Sequence, residues 1–188
     1  AEIIFQIFEK LVSQGKMIIM VTHDFSLAHR MSHSIYMADG EIISPHIASN
    51  MTMLNSQQML MMTHAHETRV YQPGEFVIQQ DTPADGFMII TAGEVEVFAK
   101  KKKKKNAEVL IERPGRGEYL GVLGLVNRNT SGQPEPSPVS VRASGESPLE
   151  VVFIPYQVMG ELIDDSEELK ETMAVLAQKR QEKIQALS

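Results

Sequence analysis

The sequence predicts an α+β protein in which helices flank an antiparallel β-roll and a short α/β segment precedes it. Three observations support this class. Short alternating strands with turn residues run from Arg69 to Ile154, and stripes of apolar residues predict a helix near each end of the chain. A continuous apolar run at residues 17–21 lies between the first helix and a hairpin signal, as a buried parallel strand would.

The first segment, residues 1–43, opens with a helix. Its apolar residues recur at steps of three and four, at Ile3, Ile4, Ile7, Phe8, Leu11 and Val12, and Gly15 ends the helix. Residues 17–21 then predict a strand buried on both faces, with Thr22-His23-Asp24 at its C-terminal end. A short helix from Ser26 to about Ser34 follows, and residues 35–43 predict a hairpin that turns at Asp39-Gly40.

Residues 44–53 contain Pro45, Ser49 and Asn50 and predict a linker before the second domain, residues 54–188. That domain begins with a short helix, and its methionines are expected to pack between helix and roll rather than to form an adaptable binding surface. His64 and His66 are two residues apart, but no third ligand is evident nearby. We therefore predict no metal site.

The predicted strands of the roll are short and β-branched or aromatic, and Pro73-Gly74, residues 82–86 and Ala92-Gly93 separate them. They lie at residues 70–71, 76–78, 87–90, 95–98, 109–111, 139–141 and 151–154. An antiparallel roll or barrel is the architecture that this order indicates.

The tail predicts one amphipathic helix that begins at Asp165-Ser166-Glu167-Glu168, an N-cap with a carboxylate three residues later. Its stripe consists of Leu169, Met173, Leu176, Arg180, Ile184 and Leu187, and Arg180 interrupts it. Two interpretations stay open: a helix that lies on its own roll, and the seam of a homodimer.

Charge and composition exclude some functions. The net charge is −6 although six lysines stand together at Lys100–Lys105, so the rest of the chain is acidic and we expect no DNA binding. A solvated loop is the favoured interpretation of the lysine run, and attachment to an anionic membrane face is the alternative. The chain has no cysteine, which excludes disulfides and cysteine metal sites.

Three motifs in order resemble the cyclic-nucleotide-binding family: Tyr71-Gln72-Pro73-Gly74-Glu75, residues 92–98, and residues 117–125. The resemblance covers roughly residues 54–176 and implies that family's jelly roll. In the family, a glutamate binds the ribose hydroxyl and an arginine binds the cyclic phosphate. Here those positions hold Val122 and Ser137.

The resemblance thus implies a degenerate ligand pocket, formed by Gly121, Val122, Leu123, Ser137, Pro138 and Val139. We expect a regulatory or binding module that does not bind cyclic AMP or cyclic GMP in the usual way. The alternative is a working sensor in which substitute groups hold the nucleotide, such as Arg142, Arg128, Glu118 or the lysine run.

Residues 3–43 resemble the C-terminal part of an ABC-transporter ATPase domain, in which a strand ending Val-Thr-His-Asp precedes a helix and an Asp-Gly-Glu-Ile hairpin. The resemblance implies that His23 corresponds to the switch histidine, which contacts the γ-phosphate of ATP. It also implies a transporter membrane subunit as partner, and a cytoplasmic location at or near the membrane face.

The phosphate loop, the Leu-Ser-Gly-Gly signature and the acidic magnesium-binding strand do not occur in the sequence. We therefore expect no enzyme activity and no cofactor in this fragment. ATP and magnesium would belong to a longer parent protein, inside which Ala1 is expected to lie.

Overall fold

The computed structural model describes residues 2–24, 27, 30–100, 108–128 and 133–187, without the side chains of Glu2, Lys100 and Leu187. The chain divides into two units, Ala1–Ser34 and Ile35–Ser188. Lys101–Lys105 of the lysine run lie outside the described residues, as do Ser26, Ala28 and His29. The helix expected from Ser26 to about Ser34 is wrong for the described part of that stretch, because residues 27 and 30–34 form no α-helix and only residues 27 and 30 have 3₁₀ geometry.

The first unit contains helix α1, Glu2–Ser13, where the apolar periodicity predicted it. Phe5 is buried beneath the guanidinium of Arg30, which lies 4.0 Å from the ring centroid. Gly15 takes a positive φ of 78° just after the helix, as a C-terminal stop requires. The helix prediction is confirmed.

The strand predicted at residues 17–21 is wrong for this structure. These residues form no strand, and Met17, Ile19 and Val21 are each more than 80% exposed. A strand buried on both faces needs neighbouring strands at its edges and a covering layer on each side. The described residues of the first unit provide neither, so the α/β layer predicted for residues 1–43 is not formed in them.

The second unit begins with the predicted hairpin, in which β1 (Tyr36–Ala38) pairs antiparallel with β2 (Glu41–Ile43). Asp39 and Gly40 both have positive φ, 50° and 82°, which is the backbone of a type I′ turn. Ile43 is buried in the core of this second unit. The hairpin therefore belongs structurally with the roll rather than with the first unit.

The predicted linker at residues 44–53 contains a helix instead, α2 (Pro45–Asn50). Pro45 occupies its first turn, where a missing N–H costs nothing. Ile47 and Met51, four residues apart, are fully buried and attach this segment to the core. A linker was the wrong prediction because these two apolar side chains supply a reason to pack.

Helix α3, Ser56–Ala65, confirms the expected helix before the roll. Asn55 and Gln58 form a reciprocal capping box, in which the backbone N–H of Gln58 donates to Asn55 Oδ1 at 2.9 Å. Met59 and Met62 are buried in the core, as the packing interpretation of the methionines predicts.

The roll consists of two antiparallel four-stranded sheets, which confirms the predicted architecture. One sheet has the order β3 (Glu67–Tyr71), β10 (Leu149–Pro155), β5 (Gly86–Ala92), β8 (Tyr119–Leu120). The other has the order β4 (Phe76–Ile78), β9 (Ser140–Ser144), β6 (Glu94–Lys100), β7 (Glu108–Glu112). Short helix α4 (Val122–Val126) follows β8.

Two helices complete the second unit, α5 (Tyr156–Asp165) and α6 (Glu167–Leu187). On α6, Leu169, Met173 and Ala177 are buried in the core of the same chain. The apolar side of α6 therefore lies on its own roll, and a homodimer seam along that side would have to displace it. Among the described residues no helix is both long enough and apolar enough to span a bilayer.

Candidate functional site

A cavity of about 250 Å³ lies between the β4-β9-β6-β7 sheet, helix α4 and helix α6. All six residues that the sequence predicted for the pocket line it. Most of the wall is apolar, contributed by Ile78, Ala84, Val97, Ile111, Leu120, Val122, Leu123, Val139, Val141 and Ile184. The structure thus brings together residues 121–123 and 137–139, which the chain separates.

The turn before α4 depends on Gly121, whose φ is +79°. A Cβ at this position would collide with the backbone oxygen of Gly86 and stand 2.8 Å from the hydroxyl of Tyr156. That hydroxyl donates a 2.6 Å hydrogen bond to the Gly121 carbonyl. Burial raises the pKa of Tyr156 well above its ordinary value, and the negative charge of Asp85 adds to the shift. The phenol therefore keeps its proton and remains the donor.

Val122 is fully buried at the start of α4 and turns an apolar side chain to the cavity. It cannot accept a hydrogen bond, so the position at which the family places a glutamate offers a ligand only van der Waals contact. The neighbouring Leu123 is half-buried and extends the same apolar surface.

The Ser137 hydroxyl forms its hydrogen bonds within its own turn. It donates to the Val139 carbonyl at 2.8 Å and lies 3.3 Å from the Val139 amide. The Ser137 backbone pairs with the opposite loop, donating to the Thr82 carbonyl at 2.8 Å and accepting from the Asp81 amide at 2.8 Å. Pro138 has no amide hydrogen. This edge of the cavity therefore presents neither a cation nor a free donor from residues 137 and 138.

A cation does reach the cavity, from a residue that the pocket prediction missed. Arg180 of α6 lines it and donates to the Tyr119 carbonyl. Its Nε lies 3.4 Å from Glu112 Oε1, and Lys183 approaches the other oxygen of Glu112 at 2.5 Å. Burial lowers the pKa of Arg180, while the charges of Glu112 and Glu118 oppose that shift.

The interruption of the apolar stripe by Arg180 was the signal that sequence reasoning could have used. A charged residue in the buried face of a helix needs a polar partner or a ligand. Glu112, at the end of β7, gave no comparable signal because exposed strand ends commonly carry charge.

The groups that could hold a cyclic nucleotide in place of the family's contacts lie elsewhere. Arg142 donates to Glu96 at 2.9 Å, on the strand face opposite to the cavity-lining Val141. The guanidinium of Arg128 lies against Gly160 of α5, and Glu118 accepts from the Gly115 amide at 2.8 Å. None of the three lines the cavity. The lysine run lies almost entirely outside the described residues.

Among the described residues, no histidine lines the cavity. His23 is exposed in the first unit, whereas the cavity belongs entirely to the second. His64 contacts Glu41 at 2.7 Å, and His66 donates to the Thr63 carbonyl. In the part of the chain that the structure describes, no cluster of three or more potential metal ligands occurs.

The Tyr119 side chain connects the cavity edge to the segment before the roll. Its hydroxyl donates to the Asn50 carbonyl at the end of α2, and its ring lies 5.3 Å from that of Phe87. Its own carbonyl accepts the bond from Arg180. One residue of β8 thus contacts both α2 and α6.

Comparison with known proteins places this geometry in a family. Residues 68–166, just over half of the chain, match the family described as the cyclic nucleotide-binding domain. A relative is the cAMP-dependent protein kinase type II regulatory subunit of Drosophila melanogaster, 33% identical over 92 residues, which make up 49% of this chain and 22% of that protein.

Two solved structures share the fold. The regulatory domain of Toxoplasma gondii PKA with cAMP superposes with a TM-score of 0.55 at 17% identity, over 73% of this chain and 46% of that one. The regulatory subunit of a cAMP-independent protein kinase A from Trypanosoma cruzi, bound to guanosine, superposes with a TM-score of 0.52 at 16% identity. The match covers 71% of this chain and 48% of that one. The matched part of the chain spans less than half of each of these three relatives.

Proposed function

The chain belongs to the cyclic nucleotide-binding domain family, and from that premise we propose that it is a regulatory module whose cavity does not bind cyclic nucleotides in the usual way. One observation carries the proposal. The hydroxyl of Ser137 is bonded within its own turn, and the apolar Val122 fills the second polar position. A cyclic phosphate and a ribose hydroxyl would therefore find no charged partner at either place.

The expected loss of affinity is large. A hydrogen bond to a charged group contributes about 1.5–3 kcal/mol, so two missing contacts weaken binding by about 3–6 kcal/mol. This corresponds to roughly 10²- to 10⁴-fold in dissociation constant. The Trypanosoma cruzi relative is bound to guanosine, which carries no phosphate. A ligand without a phosphate is compatible with the cavity described above.

Calorimetric titration with cyclic AMP and cyclic GMP tests the proposal. We expect no binding by the unmodified chain at micromolar concentrations, and binding by the double variant Val122→Glu/Ser137→Arg. A matched control, Val122→Glu/Glu135→Arg, places the cation elsewhere on the cavity wall and should bind neither cyclic nucleotide. Micromolar binding by the unmodified chain would overturn the proposal.

That last outcome would establish the second candidate, a working cyclic-nucleotide sensor. The observation in its favour is that the cavity is preserved and contains a cation, Arg180, although the family's two charged contacts are missing. The same titration decides between the two candidates, so no separate experiment is needed.

The proposal extends to the whole protein through the first segment. The order Val21-Thr22-His23-Asp24 followed by the Asp39-Gly40 hairpin supports a parent protein with an ABC-transporter ATPase domain, which would bind ATP and magnesium. His23 would act only in that parent, next to a phosphate loop. Sequencing the gene upstream of Ala1 tests this, and a preceding segment without a phosphate loop would refute it.

Partners and location follow from that parent as further parts of the proposal. A transporter membrane subunit would be the partner, on the cytoplasmic side of the membrane. A homodimer through α6 would need the polar side of that helix, because its apolar side packs on the roll. DNA is not proposed as a partner, since the net charge of −6 disfavours it.

A further inference from the structure

Arg180 stands apart from the family's ligand contacts. It lies on α6, beyond residues 68–166, and lines the cavity together with Ser137 and Pro138. Its side chain is only 19% exposed. A buried guanidinium is costly to desolvate unless an anion or several acceptors compensate.

The described partners of Arg180 compensate it incompletely. Nε faces Glu112 at 3.4 Å, a long distance for a charged pair, and the same carboxylate lies 2.5 Å from Lys183. One terminal nitrogen donates to the Tyr119 carbonyl. A guanidinium has five N–H donors, so these contacts leave donor capacity for an incoming anion.

The rest of the cavity selects for an apolar body. Ile78, Val97, Ile111, Val122, Val141 and Ile184 form most of its wall. Glu135, the other carboxylate of the lining, is exposed to solvent, where its charge is screened. The volume of about 250 Å³ is slightly below the roughly 300–1,000 Å³ of typical ligand sites, so the ligand is small.

We propose that Arg180 is the anion-binding group of this cavity and that its ligand is a small organic monocarboxylate with an apolar body. A planar carboxylate matches the fork of a guanidinium with two parallel hydrogen bonds. The Glu112 carboxylate then competes with the ligand for Arg180. When the ligand binds, Glu112 keeps its ion pair with Lys183. The inference rests on the proposed function, in which this cavity is not a cyclic-nucleotide site.

Titration calorimetry with 2-naphthoate and its neutral isostere 2-naphthamide tests the inference on the full chain. We expect binding of the carboxylate and at least about 10-fold weaker binding of the amide, because the amide lacks the charge. Arg180→Met should weaken carboxylate binding at least about 10-fold, and Arg180→Lys should recover only part of it because it lacks the fork.

Glu112→Gln should change the carboxylate affinity in the opposite direction. Removing the competing charge should strengthen carboxylate binding, which a variant that merely damages the fold would not do. Lys179→Met removes an exposed cation from the same helix and should leave the affinity unchanged. Thermal melts of each variant verify that α6 stays folded.

The inference fails if naphthoate does not bind, if the amide binds equally well, or if binding is unaffected by Arg180→Met in a folded variant. A parallel titration with cyclic AMP distinguishes a failure of this inference from a failure of the proposed function. Cyclic AMP binding by the unmodified chain overturns the proposed function, whereas naphthoate binding without cyclic AMP binding supports both.

Discussion

Replacing Gly121 with alanine should destabilise the roll by roughly 3–6 kcal/mol. A non-glycine residue at a left-handed φ, here +79°, costs about 1–2 kcal/mol. The added Cβ stands 2.8 Å from the Tyr156 hydroxyl, so the bond from that hydroxyl to the Gly121 carbonyl is lost at about 1 kcal/mol. Collision with the Gly86 backbone oxygen adds about 1–3 kcal/mol, because backbone cannot rotate away as a side chain does.

Gly74→Ala is the matched control. Gly74 also has a positive φ, +91°, but a Cβ there meets no atom within 4 Å. It should therefore cost only the conformational term of about 1–2 kcal/mol. The difference between the two variants measures the crowding of Gly86 and Tyr156 around the turn before α4.

Urea unfolding followed by far-ultraviolet circular dichroism measures both variants, since the chain has no tryptophan to report on unfolding. Midpoints are compared at unchanged slope, which keeps the comparison to stability alone. Equal losses in the two variants would refute the reasoning, because the close approach of β5 and α5 to Gly121 would then carry no energy.

Two further predictions concern the helices. Tyr156→Phe should cost about 1 kcal/mol at neutral pH, because it removes the hydrogen bond to the Gly121 carbonyl. Burial raises the pKa of Tyr156 above its ordinary 10.0, so its neutral form contributes stability that is fully present below that pH and declines as pH rises further. Urea midpoints measured from pH 7 to 11 should fall less steeply above pH 10 in the phenylalanine variant, and equal slopes would contradict this. Met173→Ala should lower the free energy of unfolding by about 2–5 kcal/mol at every protein concentration, because Met173 is buried. Val175 is half-exposed, so Val175→Ala should lower it by less than about 1 kcal/mol. A midpoint that rises with protein concentration would instead identify α6 as a homodimer seam.

Local patterns in the sequence predicted most of the fold. The three-and-four spacing of α1 and the Asp39-Gly40 turn each depend on neighbours a few residues away, and both are confirmed. The order of short strands predicted the roll for the same reason. The polar residues around Pro45–Asn50 predict a linker, but Ile47 and Met51 are spaced to be buried on one side of a helix, and a helix forms there.

Features that depend on distant parts of the chain were predicted less well. The apolar run at residues 17–21 has the composition of a buried strand, but composition cannot supply the neighbouring strands that such a strand needs. The approach of Arg180 to the cavity depends on how α6 docks, and that docking is a tertiary event. Residues 121–123 and 137–139 line one cavity, and a family motif rather than their spacing joins them in the sequence.

Tyr119 joins the two ends of the second unit at one residue of a two-residue strand. Because its hydroxyl bonds to α2 and its carbonyl to α6, neither helix can detach without disturbing the same short strand. We expect the two helices to open together, so that their backbone amides exchange with solvent at similar opening free energies. Hydrogen exchange would then show the stretch before the roll and the helix after it as one unit, although more than a hundred residues of chain separate them.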